Sequence, residues 1–184
     1  SDIRIPGMHN VENFLAAICA VFDDVSVDVM HKVAKEFQGV EHRNEFVREL
    51  DGVRWYNDSI ATSPTRTIAG LNSFSQKLIV IAGGYDKHIP FDPFAAAAIA
   101  HIKILILTGA TAEKIETCVR SQPGFSDQEL QIIRAHNMEE AVHMARKRAQ
   151  PGDVVTLSPA CASFDAYPNF AVRGKHYKEL VNNL

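Results

Sequence analysis

From residue 52 onward, short β-rich runs alternate along the chain with stretches that have helical periodicity. The β-branched and aromatic runs predict strands, and apolar residues spaced three or four apart predict helices between them. The predicted strands cover residues 53–56, 78–82, 104–107, 130–134 and 154–157. The predicted helices cover residues 64–74, 94–100, 112–121, 138–148 and 169–181. Apolar strands in alternation with helices indicate an α/β fold: a Rossmann-like, mostly parallel sheet with helices on both faces.

The first 50 residues have a different pattern. Asn10 is a suitable cap for a helix whose apolar stripe includes Val11, Phe14 and Ile18. A second helix is predicted over about residues 27–37, and a polar stretch without a predicted strand follows it. We therefore predict a short helical piece over residues 1–50 and a complete α/β domain over residues 51–184. If the apolar stripes of the helical piece stay uncovered, self-association or disorder is expected there.

Composition and charge exclude several classes of protein. Hydrophobic residues make up 46% and charged residues 22%, which are ordinary globular values. A net charge of −3 gives no indication of nucleic-acid binding, and no apolar run is long enough for membrane insertion. Cys19, Cys118 and Cys161 are an odd number and widely spaced. They argue for a reducing cytoplasm and against a disulfide framework or a zinc site.

Polar residues collect in the turns that follow the predicted strands. NDSIATSPTRT follows residues 53–56, GGYDKHIPF follows residues 78–82, and SPACASFD follows residues 154–157. Ligands of open parallel sheets bind beyond the carboxyl ends of the strands, so these turns should line one edge. The polar side chains that this edge would collect are Thr62, Arg66, Lys87, Ser158 and Ser163, with Asp58 and Asp86. They indicate a site for a small anionic or zwitterionic molecule.

Each of these features also has a plain structural alternative. Gly83 and Gly84 suit any tight turn, and a single Lys87 is typical of a solvated surface. Cys161 as a nucleophile would need a histidine base, and no histidine is near it in sequence, so a small buried residue is favoured. Scattered histidines without HxxxH or CxxC spacing predict no metal site. The convergence of several polar turns is what indicates a binding site.

Five segments carry a resemblance to a known family. PGMHNVENFLAA, EHRNEF, YNDSIATSPTRTIAGLNSF, IAGGYDKHIPF and LSPACASFDAYPNFAVRGKHY occur in that order. Together they resemble the Mur ligases of peptidoglycan synthesis, and the last is similar to the loop of members that add D-glutamate. The resemblance implies that residues 1–50 are the C-terminal tail of a central ATP-binding domain, and that residues 51–184 are the amino-acid-binding domain. The P-loop pattern GxxxxGK[ST] of the central domain is absent, so a catalytically inactive fragment is expected.

The resemblance also implies an activity. Members of this kind use ATP and Mg²⁺ to phosphorylate the carboxylate of UDP-N-acetylmuramoyl-L-alanine, which gives an acyl phosphate and ADP. The amine of D-glutamate then attacks the acyl carbon, and phosphate leaves. The full-length protein is then expected to be a cytoplasmic monomer, with ATP and Mg²⁺ held mainly outside these residues. Neither Cys161 nor Ser163 would act as a nucleophile.

Individual roles follow from the matched motifs. The resemblance places Asn10 and Asn13 near adenine, Arg43 at the ATP phosphates and Asp58 at the ribose. It assigns five residues to D-glutamate: Thr62, Lys87, Ser163, Phe164 and Phe170. No residue of the fragment is assigned a catalytic step or a metal.

One position departs from the family pattern. Many relatives have lysine where this chain has Ile60, so a cation near D-glutamate or the phosphates is missing. Arg66 in the following helix is our hypothesis for its replacement. Two alternatives to the D-glutamate ligase remain open: a free-standing glutamate-binding module and a related ligase such as a folylpolyglutamate synthetase. A dinucleotide-binding Rossmann domain is the weakest option, because no GxGxxG follows a strand.

Overall fold

A six-stranded sheet with helices on both faces forms most of the described part of the chain, which is residues 3, 5 and 7–184 of a computed structural model. The strands are β1 (Glu45–Leu50), β2 (Val53–Asn57), β3 (Leu78–Ala82), β4 (Ile102–Leu107), β5 (Gln131–Arg134) and β6 (Val154–Leu157). The helices are α1 (Met8–Val21), α2 (Val27–Glu36), α3 (Pro64–Leu71), α4 (Asp92–His101), α5 (Ala112–Arg120), α6 (Met138–Arg148) and α7 (Phe170–Asn182).

The strand order is β1-β2-β6-β3-β4-β5. β1 and β2 are antiparallel, and every other neighbouring pair is parallel. The predicted α/β architecture with a mostly parallel sheet is therefore confirmed. In such a sheet the carboxyl ends of β2, β6, β3 and β4 lie along one edge, so the turns that follow them can meet.

Two apolar clusters hold the helices against the two faces of the sheet. Along β3, Val80 belongs to one cluster, whereas Ile79 and Ile81 belong to the other. The helices α3, α4 and α5 pack on the first face, and α6 and α7 pack on the second. Since successive side chains of a strand point to opposite faces, a continuous apolar strand such as β3 indicates burial on both sides.

The sheet begins earlier than the sequence pattern predicted. β1 lies in the stretch for which no strand was expected, and it forms a hairpin with β2 in which Phe46 faces Tyr56. Asp51 and Gly52 connect the strands with positive φ angles of 51° and 76°. Asp-Gly between two alternating runs is a strong hairpin signal, and here it was interpreted as a domain boundary. The assignment of residues 1–50 to a separate ATP-binding domain stays a prediction.

The predicted helix caps are partly wrong. Gly7 precedes the first residue of α1, so Asn10 lies in the first turn and does not cap the helix. Ser63 and Pro64 begin α3 as expected. The Ser63 hydroxyl makes no capping bond and instead lies 3.3 Å from the Thr65 hydroxyl. Among the described residues, no helix has both the length and the apolar character needed to cross a membrane.

Candidate functional site

The turns that follow β2, β3 and β6 come together at the carboxyl edge of the sheet. The Gly83 amide donates to the Pro159 carbonyl at 2.9 Å, and the Tyr85 amide donates to the Ala162 carbonyl at 2.9 Å. The Asp58 amide donates to the final residue of β6 at 2.8 Å. Three loops that are far apart in sequence are therefore joined by backbone hydrogen bonds, as the strand order requires.

The two glycines after β3 are needed for this close approach. Gly83 and Gly84 have φ angles of 107° and 146°. A Cβ atom would overlap the Thr108 carbonyl oxygen at position 83 and the Ala162 carbonyl oxygen at position 84. A residue with a side chain would push the loops apart, so the glycines bring the turns after β3, β4 and β6 together.

A buried arginine on α7 holds two of the loops. The Nε atom of Arg173 donates to Ser59 Oγ at 3.0 Å, and its Nη2 donates to the Ser59 carbonyl at 2.9 Å. The same guanidinium donates to the carbonyls of Cys161 and Ala162, each at 3.1 Å. Burial lowers the pKa of Arg173 to about 10, so the group stays charged at neutral pH. One side chain therefore fixes the turn after β2 relative to the turn after β6.

The sequence interpretation did not identify Arg173, although a signal was present. Arg173, Tyr177 and Val181 are spaced by four residues, and all three are buried on α7. An arginine within an otherwise apolar helical stripe indicates a buried charge with several acceptors. Those acceptors are carbonyls of distant loops, which the sequence alone could not place.

The five residues expected to bind D-glutamate lie on these loops and at the start of α7. Ser163 is buried, Thr62 and Phe170 are half-buried, and Lys87 and Phe164 are exposed. Phe164 meets Tyr85 edge-on, with ring centroids 5.9 Å apart, which brings the loop after β6 next to the loop that contains Lys87. The Ser59 hydroxyl donates to the Phe170 carbonyl at 2.7 Å and so ties α7 to the turn that leads to Thr62.

The loop around Lys87 is held by its neighbours. Asp86 accepts a hydrogen bond from the His88 amide at 2.7 Å and another from Lys114 Nζ at 3.0 Å. The Lys114 ammonium holds the pKa of Asp86 below its usual value. The Lys87 side chain makes no hydrogen bond or ion pair with the described residues, so its charge is available to an anion.

Three of the four residues expected at ATP line one cavity. Asn10, Asn13 and Arg43 surround a space of about 300 Å³ whose other walls are mostly apolar, including Phe14 and Val33. An apolar cavity with a few amide groups suits a flat heteroaromatic ring. The structure therefore brings Asn10, Asn13 and Arg43 together around one cavity, and their role at ATP stays a prediction.

A second cavity, of about 290 Å³, adjoins the first. Arg43 and Asn44 line both of them, and Asp58, Ile60 and Arg66 line only the second. Neither cavity is lined by Lys87 or Ser163. Arg43 thus lies between the apolar cavity and a cavity that carries two arginines and one carboxylate.

The carboxyl group of Asp58 is unusually buried for a binding residue. Its Oδ2 accepts from Ser158 Oγ at 2.8 Å, and its Oδ1 accepts from the Asn44 amide at 3.3 Å. Burial raises the pKa of Asp58 to about 7, although these two donors and the nearby arginines act in the opposite direction. Near neutral pH, Asp58 is therefore present both as a carboxylate and as a carboxylic acid.

Next to this site is a cluster with metal-ligand spacing, although the sequence predicted none. One ligand atom from each of Glu41, His42 and Glu45 lies within 4.8 Å of the others. Lys178 Nζ donates to both carboxylates at 2.8 Å, and His42 Nδ1 lies 2.9 Å from Asn57 Nδ2. Burial lowers the pKa of His42. Lys178 bridges the two carboxylates, so this cluster ties α7 to Glu41 and to the first residue of β1.

Cys161 is a small buried residue, as predicted. Its sulfur lies 3.2 Å from Thr111 Oγ1, and burial raises the pKa of the thiol to about 11. The thiolate is the reactive form of cysteine, so Cys161 is poorly suited to nucleophilic attack at neutral pH. Its carbonyl oxygen, which binds Arg173, is what matters for the site.

Comparisons with known proteins show the family to which this chain belongs. The profile of the family described as Mur ligase, glutamate ligase domain, matches residues 42–161. Over its whole length the chain is 61% identical to the UDP-N-acetylmuramoylalanine--D-glutamate ligase of Clostridium acetobutylicum and 58% identical to that of Clostridium beijerinckii. It spans about 40% of the length of these relatives.

Solved structures share the fold at lower identity. A folylpolyglutamate synthase of Mycobacterium tuberculosis matches 97% of this chain, over 41% of its own, with a TM-score of 0.67 and 14% identity. A UDP-N-acetylmuramoyl-L-alanyl-D-glutamate--2,6-diaminopimelate ligase matches 98% of this chain, over 40% of its own, with a TM-score of 0.60 and 18% identity. At these identities the likeness concerns the arrangement of the elements only.

Proposed function

Because this chain belongs to the Mur ligase family through its glutamate ligase domain, we propose that it is the amino-acid-binding part of an ATP-dependent D-glutamate ligase. The acceptor is UDP-N-acetylmuramoyl-L-alanine, as the names of its relatives suggest. The observation that carries the proposal is the set of hydrogen bonds from Arg173, which join the turn that leads to Thr62 to the turn that contains Ser163 and Phe164. The ligase acts in the cytoplasm as a monomer and supplies an intermediate of peptidoglycan.

On the amino-acid side, the residues provide the groups that a dicarboxylate needs. The exposed ammonium of Lys87 binds one carboxylate, and the Ser163 hydroxyl donates to the other. Thr62 and Phe164 border the ligand, and Phe170 covers its methylene groups. Held in this way, the amine of D-glutamate points away from the sheet towards the acyl group, and this positioning is the main contribution of the loops.

On the nucleotide side, two adjoining cavities receive ATP. Asn10 and Asn13 bind adenine in the apolar cavity, Arg43 binds the phosphates, and Asp58 accepts a hydrogen bond from the ribose. Within the described residues, Asp58 is the one carboxylate that lines either cavity. We therefore assign the Mg²⁺ ligands and the phosphate-binding loop to the rest of the ligase, where ATP, with Mg²⁺, activates the substrate as an acyl phosphate.

Two alternatives share the fold but have less support. A free-standing glutamate-binding module would use the loop residues, but it would have no ligand for the two cavities that adjoin at Arg43. A folylpolyglutamate synthetase is favoured by structural likeness alone, at 14% identity. Identity of 61% to a D-glutamate ligase across the whole chain favours the proposal over both.

The test is an amide-NMR titration of this chain with D-glutamate and, separately, with L-glutamate. Shifts confined to the loops that carry Thr62, Lys87 and Ser163, and larger with the D-isomer, are expected. Lys87→Met should abolish them, because it removes the cation that binds a carboxylate. Lys77→Met is the matched control, since Lys77 lies before β3 at the opposite end of the sheet and pairs with Glu129.

Two outcomes of the titration would contradict the proposal. Equal shifts with both isomers, or shifts that survive Lys87→Met, would place the amino acid elsewhere. In the full-length ligase, ADP formation should depend on D-glutamate and UDP-N-acetylmuramoyl-L-alanine together. ADP formation that depends on a folate and L-glutamate instead would identify the folylpolyglutamate alternative.

A further inference from the structure

Two arginines line the second cavity without a protein partner for their side chains among the described residues. Arg43 and Arg66 line this space of about 290 Å³, and both side chains are exposed. Neither guanidinium makes a hydrogen bond or a salt bridge with any described residue. Elsewhere in the described chain, arginines such as Arg120, Arg134 and Arg146 are paired with carboxylates. An arginine pair without a protein partner has its donors available for a ligand.

The cavity carries a positive charge that its own residues do not balance. Asp58 is its one acid, and that side chain is buried and engaged by Ser158 and Asn44. The remaining wall is formed by neutral residues, including Ile60 and Gly70. A concave surface with two guanidinium groups and one internally bonded acid favours a ligand with more than one negative charge.

The position of Arg66 relates this charge to the nucleotide. Residue 66 is in the first turn of α3 and shares the cavity with Arg43 and Asp58, the residues proposed to bind phosphate and ribose. Lys87 and Ser163, which are proposed to bind D-glutamate, do not line this cavity. Ile60 contributes an apolar side chain to the same wall.

We propose that Arg66 is a second phosphate-binding residue of the nucleotide site and acts together with Arg43. The inference rests on the proposed function and extends it by one residue and one ligand group. A guanidinium can donate two parallel hydrogen bonds to phosphate oxygens, so two arginines that line one cavity can hold adjoining phosphate groups. The sequence left open whether Arg66 replaces a cation near D-glutamate or near the phosphates. This assignment places its charge at the phosphates, and the two positions make opposite kinetic predictions.

The first test is binding of tripolyphosphate to this chain, measured by calorimetry at low salt. Arg66→Gln and Arg43→Gln should each weaken binding about five- to tenfold, since each removes a charge-assisted contact. Arg66→Lys should keep part of the affinity, because a charge remains without the bidentate geometry. Arg146→Gln is the control, as Arg146 is on α6 and pairs with Asp51. Unfolding midpoints should match in the Arg43 and Arg66 variants because both side chains are exposed.

The second test separates the two ligand sites in the full-length ligase. Arg66→Gln should raise the KM for ATP about fivefold and leave the KM for D-glutamate unchanged. A raised KM for D-glutamate with an unchanged KM for ATP would overturn the inference. So would tripolyphosphate affinity that is equal in Arg66→Gln and the unsubstituted chain, or absent from both. If the ligase forms no ADP with D-glutamate, the proposed function fails, while tripolyphosphate binding still decides the role of Arg66.

Discussion

The carboxyl group of Asp58 makes stability depend on pH. Its pKa is raised from 3.8 to about 7 in the folded chain because burial disfavours the charged form. Between these values the folded state binds more protons than the unfolded state. The free energy of unfolding contributed by Asp58 therefore falls as pH rises from about 4 to about 7, by at most about 1.4 kcal/mol per pH unit.

This first prediction is checked by urea unfolding across that pH range in the unsubstituted chain and in Asp58→Asn. The difference between the two free energies of unfolding should change with pH in the direction given and level off above about pH 7. His42, whose pKa is lowered, contributes with the opposite sign in both proteins and cancels in the difference. A difference that stays constant with pH would contradict the raised pKa.

The second prediction concerns Gly70, where there is no room for a Cβ atom. A Cβ atom at this position of α3 would lie 2.7 Å from Asp58 Oδ2 and 3.3 Å from Asn44 Oδ1. In an exposed helix, Gly→Ala stabilises by about 1 kcal/mol, but here it should destabilise by about 1–3 kcal/mol because buried polar atoms must shift.

Thermal or urea unfolding of Gly70→Ala measures this effect. Asp58→Ser removes the atom in the way, so adding Gly70→Ala to Asp58→Ser should cost less than adding it to the unsubstituted chain. A cost that is the same in both backgrounds would mean that the overlap with Asp58 is not the cause.

At the scale of one element, α7 depends on Arg173. Arg173→Lys keeps the charge but replaces four hydrogen bonds to loops with a compact ammonium that cannot reach them all. The buried Cys161 carbonyl then loses the donor from Arg173, and the Ala162 carbonyl keeps only the bond from the Tyr85 amide. We expect the free energy of unfolding to fall by about 3 kcal/mol and D-glutamate binding to weaken by more than tenfold.

The matched substitution is Arg134→Lys, at an exposed arginine of β5 that pairs with Glu116. Its free energy of unfolding should stay within about 0.5 kcal/mol of the unsubstituted chain. Circular dichroism and calorimetry on both variants provide the comparison. Equal stability of the two variants would show that the Arg173 clamp is not required for the fold.

At the scale of the whole molecule, the two N-terminal helices are the part with the least burial. Leu15, Phe22, Val27 and Val29 each expose half or more of their surface, and α2 has no buried residue. Exposed apolar surface of this kind favours association. We expect the chain to self-associate as its concentration rises, and Leu15→Glu combined with Val29→Glu to reduce this in sedimentation velocity. Concentration-independent sedimentation of the unsubstituted chain would contradict the expectation.

The sequence by itself determined the elements whose pattern is local. Strands β3 and β6 and helix α6 have the predicted bounds, because apolar runs and helical periodicity are set by neighbouring residues. It also determined that the polar turns meet, since parallel strands bring their carboxyl ends to one edge. The short strand β1 was not predicted because it lies in a mostly polar stretch. Its pairing with β2 is what identifies it as a strand.

Only the tertiary structure decided what depends on distant partners. Arg173 meets Ser59, which is 114 residues earlier in the chain, and Ser158 meets Asp58 across 100 residues. Burial, which raises the pKa of Asp58, and the cavity that Arg66 shares with Arg43 likewise depend on elements far apart in sequence. Local pattern fixes which residues form strands and helices, whereas the charge, burial and bonding of a site are properties of the packed chain.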